Sequence, residues 1–284
     1  MSSNVKDIVD AYDAGQSHYS FWRKVPTQTT ANGIWFDLSM SPGNPVPNYY
    51  AASPTIAVAL ARSTDGGLNH GPNVSPKTKY LHKFLSMTQT ATAVPLALRL
   101  CDYLMYYPFV DMSVVDVQPM TTNITLPRYP TGAGVQIMAV EVASQVGGST
   151  FYVTYTNQDG VAGRVSATVT CNTQVVNGTI VTSAPTTLGC AGLFIPLQGS
   201  DTGVRLIESV TFVTGDVGLI SLVLIKPLAS ATIYDITAPV EIDYLVNFGT
   251  APIIVDDAYL NLVCSPVGTL SFAPIQGEIQ TYWV

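Results

Sequence analysis

Between Val135 and Thr170 the chain reads VQIMAVEV, a Gly147-Gly148 pair, TFYVTYT, an Asn157–Gly160 turn signal, and RVSATVT. Three short runs rich in β-branched and aromatic residues, parted by glycine-containing turns, have the pattern of consecutive antiparallel strands. Within the middle run, Phe151, Val153 and Tyr155 fall on one side and Tyr152, Thr154 and Thr156 on the other. Alternation at period two buries one face and leaves the other to water or to a partner.

The same pattern recurs to the C-terminus. Strands are expected at 112–117, 121–126, 135–143, 150–156, 163–171, 175–182, 193–197, 204–213, 217–226, 230–236, 240–247, 252–256, 258–264, 268–273 and 278–283. Strands without intervening helices argue against a parallel α/β sheet. The expected fold is mainly β: an antiparallel β-sandwich or jelly-roll-like body with a short N-terminal helix and an extended arm. The helix is expected over 4–14. There Val5, Ile8, Val9 and Tyr12 share one stripe, Asn4 is a candidate cap and Gly15 a stop. The arm is the aromatic, proline-rich stretch 16–56, for which an alternative reading is a long loop packed on its own body. A second helix is expected over 94–107, where Leu96, Leu100, Tyr103, Leu104 and Tyr107 line one side and Pro108 ends the run. Three segments follow: 1–56 as helix and arm, 57–130 as mixed loop and helix, and 131–284 as the sandwich.

Composition bears on what covers such a body. Charged residues are 11% of the 284 and mean hydropathy is +0.29, against a charged share of about 25% in ordinary soluble domains. A surface so poor in charge is most simply explained if neighbouring subunits cover much of it. Residues 1–100 carry 8 basic and 5 acidic side chains, and residues 101–284 carry 4 and 14. An acidic C-terminal part argues against direct nucleic-acid binding. The start of the chain lacks a signal-peptide pattern, and the apolar window 91–110 holds Arg99, Asp102, Pro95 and Pro108, so no membrane partner is expected.

The residues offer little chemistry. The histidines are His18, His70 and His82, no two at a ligand spacing, and there is no nucleophile elbow, phosphate loop or dinucleotide fingerprint. His70, in a glycine-flanked loop, is the best catalytic candidate among weak ones. Glu241 and Asp243 share a strand face and Asp256-Asp257 ends a strand, patterns that read first as solvated acids. The four cysteines (Cys101, Cys171, Cys190, Cys264) are read as reduced, with a Cys171–Cys190 bridge unforced. The expectation is a protein that is not an enzyme and takes no cofactor and no metal.

Three stretches carry a resemblance: GIWFDLSMSPGNPVPNYY at Gly33–Tyr50, DYLMYYPFVD at Asp102–Asp111, and TYTNQDG at Thr154–Gly160. They resemble virion structural proteins of tailed bacteriophages, and the likeness runs over most of the chain. It implies a capsid- or tail-associated role in the virion, assembled in the host cytoplasm, and supplies no catalytic residues. The expected function is an auxiliary head protein that decorates or cements the shell. A neck, tail or baseplate component and a receptor- or glycan-binding β module stay open. Expected partners are other virion proteins, major capsid or tail, and further copies of the chain. The residues expected at the interface are Val5, Ile8, Tyr12, Trp22, Trp35, Tyr49 and Tyr50.

Overall fold

A computed structural model describes residues 5–284, so the expected cap Asn4 lies outside the described residues. Helix α1 (Val5–Asp13) is followed by strands β1 (Ser17–Lys24), β2 (Phe36–Asp37), β3 (Gly43–Asn44), β4 (Val58–Ala59) and β5 (Lys79–Thr88), with the one-turn helix α2 (Arg62–Asp65) between the last two. Next come β6 (Leu96–Asp111), β7 (Val117–Pro119), β8 (Gln136–Ala143), β9 (Thr150–Asn157), β10 (Arg164–Val165), β11 (Val169–Thr170), β12 (Val204–Thr214) and β13 (Leu219–Ile233). The chain ends with β14 (Val240–Asp243), α3 (Tyr244–Phe248), β15 (Ile253–Ile254), β16 (Leu260–Pro266) and β17 (Ile275–Trp283).

These strands form three antiparallel sheets. The first runs β14-β5-β17-β1-β3, with β15 also on β5; the second runs β10-β9-β12-β7, with β11 on β9; the third runs β2-β16-β6-β13-β8, with β4 on β6. The long strands β6 and β13 organise the rest. Along β6, Leu96, Leu98 and Leu100 pack with the first sheet, around Trp22, Phe84 and Ile279. Further along, Leu104, Tyr107 and Val110 pack with the second sheet, around Phe151, Val153, Val210 and Phe212. On the other face, Cys101, Tyr103 and Tyr106 meet a layer of loops that contributes Met40, Tyr50, Ile180 and Leu193. The body is thus sandwich-like, with the third sheet common to two cores. Register shifts along β6 and β13 let the pair bend, and Pro227 is accommodated beside one of them.

Several expectations need correction. Residues 94–107 are not a helix; most of them lie in β6, buried on both faces. The stretch 16–56 is not a free arm: β1 sits inside the first sheet, paired along its length with β17. The first sheet draws β1, β5 and β17 from all three segments read from the sequence. The strands expected at 121–126, 175–182, 193–197 and 268–273 are irregular.

Candidate contact face

β1 explains how the N-terminal region is placed. Trp22 and Lys24 point inward and are fully buried, while Tyr19 and Phe21 point outward and are 53% and 51% exposed. Trp22 packs against Phe84, with ring centroids 6.1 Å apart. Lys24 gives its ammonium to the carbonyls of Ser41 and Pro45, at 3.1 and 2.7 Å. Burial lowers its pKa to about 8, with Asp37 opposing the shift. Directly opposite residues of an antiparallel pair share a face. Across the outer face of the first sheet, Phe21 therefore lines up with Glu278, Leu85 and Glu241, and Tyr19 with Gln280, Lys83 and Asp243. Lys83 neutralises one end of this face, 2.7 Å from Glu241 and 3.7 Å from Asp243.

Helix α1 is latched to the same face. Its hydrogen bond from Tyr12 to His82 Nδ1 is 2.9 Å long, and His82 Nε2 lies 3.4 Å from Asp243. One neutral tautomer satisfies both contacts: the Tyr12 hydroxyl donates to Nδ1 and Nε2–H donates to the carboxylate. Burial lowers the His82 pKa, against the pull of Asp243. Tyr12 also meets Tyr19 edge-on at 6.2 Å. Ala11 is buried against the body, and Val5 and Val9 are left outward, 71% and 53% exposed. The amphipathic stripe read from the sequence is therefore split, half spent on the chain's own sheet and half unpartnered.

The expected interface residues fall into three groups. Val5, Ile8 and Tyr12 belong to this face, where Tyr19 and Phe21 join them. Those two were missed because a strand inside 16–56 was not expected; the alternation of Tyr19, Phe21 and Arg23 with Ser20, Trp22 and Lys24 was the available signal. Trp22 and Tyr50 are corrections: both are fully buried in the chain's own core and unavailable to a partner. Tyr50 donates to the buried Asp37 carboxylate, which also accepts from Tyr103 at 2.7 Å and from Ser39 Oγ at 2.7 Å. Trp35 and Tyr49 lie elsewhere. Trp35 is half-buried beneath the Arg99 guanidinium, 5.7 Å from the ring centre. Tyr49 is exposed and lines a cleft with Thr27, Gln28 and Asn177.

Of the residues considered for catalysis, Glu241 and Asp243 lie on the outer face with Lys83 and His82, and His70, Asp256 and Asp257 lie in loops. His70 is buried, with Nε2 3.0 Å from the Ala258 carbonyl and Nδ1 3.0 Å from the Lys79 ammonium. Burial, aided by that cation, lowers its pKa to about 3, which keeps it neutral. Asp256 accepts the backbone N–H groups of Val74 and Ser75, and Asp257 that of Ser63, so both lock turns. All four cysteines are free thiols, Cys190 half-buried and the others buried.

No family model and no curated protein matches the chain. Among solved structures, a chain in the structure of infectious bursal disease virus Gt strain aligns at 10% identity over 95% of this chain and 82% of that one, with a TM-score of 0.16. The infectious bursal disease virus VP2 subviral particle aligns at 11% identity over 94% of this chain and 65% of that one, with a TM-score of 0.10. At such TM-scores the likeness carries no argument about function. The site itself is an aromatic and mixed-charge sheet face against which α1 is held through Tyr12 and His82.

Proposed function

We propose that the chain is a structural, non-enzymatic component of a tailed-phage virion, an auxiliary head protein held to its neighbours by protein–protein contacts. What carries the reading is the split helix: Tyr12 fastens α1 to the sheet next to Tyr19, while Val5 and Val9 stay outward and exposed. Apolar side chains left exposed along a helix and along the strand that follows it suit a partner surface. The low charge content and the resemblance over Gly33–Tyr50 and Asp102–Asp111 point the same way.

The test is truncation. Removing residues 1–15 takes away α1 and spares β1; a longer deletion would strip a strand from the first sheet and Trp22 from its core. The truncated chain should keep its far-ultraviolet spectrum and a cooperative melt, yet incorporate into particles at well below wild-type occupancy. Incorporation at the wild-type level would sink the proposal. A milder variant, Val9→Asp, should fold normally and reduce incorporation, because it places an unpaired carboxylate in the outward stripe. Copy number per particle separates a shell protein, in hundreds, from a neck or tail part, in small multiples of three or six.

A further inference from the structure

The backbone of β1 is only half used. Trp283 N–H donates to the Gln16 carbonyl, so the even-numbered residues of β1 face β17, and Val25 N–H donates to the Pro42 carbonyl on the other side. The backbone groups of Ser17, Tyr19, Phe21 and Arg23 therefore point away from β17. The short strand β3 covers only Arg23 and Lys24. The Phe21 carbonyl is met by the Asn44 side chain, but the N–H and C=O groups of Ser17 and Tyr19 and the Phe21 N–H find no partner among the described residues. A sheet edge that ends in open donors and acceptors, beside exposed aromatic side chains, is a template for one more strand.

We propose that the occupant is β1 of a second copy of this chain, paired antiparallel about a two-fold axis at Tyr19. The inference rests on reading this face as a contact surface and not on the virion assignment. In that register Tyr19 faces Tyr19 of the second copy, and Ser17 faces Phe21 in both directions. The Tyr19 pair exchanges two backbone bonds, each Ser17–Phe21 pair adds the bond from the Phe21 N–H to the Ser17 carbonyl while Asn44 keeps the Phe21 carbonyl, and every side chain involved lies on the outer face. The ladder cannot run further: β3 occupies the edge at Arg23, and the chain turns into α1 at Gly15, whose φ is +66°. In that register Gly15 of one copy falls opposite Arg23 of the other, which makes Asp13, two residues before it, the acidic side chain nearest that arginine along the partner chain, at both ends of the ladder. Both side chains are exposed, and neither makes an ion pair within the chain among the described residues. A surface that supplies its own hydrogen-bond complement, its own aromatic neighbour and its own counter-charge fits a second copy better than a foreign strand.

Sedimentation velocity on the full chain tests this across a wide concentration range. The wild type should show a reversible monomer–dimer equilibrium. Arg23→Asp should weaken it about tenfold, because the two-fold axis repeats each charge contact. Adding Asp13→Arg to the same chain should restore it, which a merely destabilising change would not do. Tyr19→Pro, which removes an edge-facing N–H at a position where an edge strand tolerates proline, should leave a folded monomer. Under a mild oxidant, Tyr19→Cys should cross-link to itself: facing Cα atoms in such a pair sit about 5.5 Å apart, within disulfide reach. A wild type that is monomeric throughout, or a Tyr19→Cys chain that stays uncross-linked, overturns the proposal. A dimer that fails to join particles would overturn the virion reading alone.

Discussion

Replacing Arg128 by methionine is expected to cost the fold about 3–5 kcal/mol. Arg128 lies where the two cores meet on the third sheet, and it holds Asp102 with both arms of its fork, at 2.9 and 2.7 Å. Its remaining donors reach the Leu60 and Tyr103 carbonyls at 3.0 and 2.9 Å. Asp102 has no exposed surface and keeps one other strong contact, the Tyr259 N–H at 3.0 Å. Burial raises the Asp102 pKa and the guanidinium opposes the rise. Without Arg128 the carboxyl must protonate or sit charged in a dry core. A group whose folded pKa lies above its unfolded one loses stability as pH rises toward the folded value. The deficit of Arg128→Met should therefore be smaller at pH 5 than at pH 8 in urea titrations of the two proteins. A deficit that does not change with pH, or one below about 1 kcal/mol, would mean the pair is not buried as described.

Glu141→Gln should do the opposite and stabilise the protein as pH rises. Glu141 is fully buried on β8, and neither of its oxygens has a hydrogen-bond partner; the Gln145 side-chain oxygen and the Ser149 hydroxyl are also unpartnered. No cation faces it. Burial lifts its pKa to about 8, and the nearby Asp216 charge adds to the rise. Wild-type stability should then fall steadily from about pH 4.5 to about 8. At about 1.4 kcal/mol per pH unit the accumulated loss is at most roughly 5 kcal/mol. Glutamine has no charge to desolvate, so the gap between variant and wild type should open across that window. Unfolding free energies at pH 5, 6.5 and 8 check it, and a gap that stays constant would reject the assignment.

How much of this could be read beforehand differs from element to element. β9 was legible: Phe151, Val153 and Tyr155 are buried and their alternates half-buried, because a strand with one dry face writes its period into the sequence. Helix α1 was legible for the same reason at a period of 3.6. β6 was not. A strand buried on both faces is apolar at nearly every position, so Leu96, Leu100, Tyr103 and Leu104 match a helical stripe as well as Leu98, Cys101, Met105 and Tyr106 match anything else. The contact face was half legible. Val5 and Tyr12 followed from the stripe, whereas Trp22 and Tyr50 read as plugs because residue type alone does not say which surface an aromatic ring will meet.

Local alternation and turn chemistry thus determined that this chain is built of antiparallel strands with a short helix ahead of them. Only the tertiary structure decided that β1 pairs with β17 at the far end of the chain, that Asp102 meets Arg128 between two cores, and that one edge of β1 is left open. The reason is physical. Periodicity follows from backbone geometry within a few residues, but pairing and burial depend on which distant segment arrives to complete them.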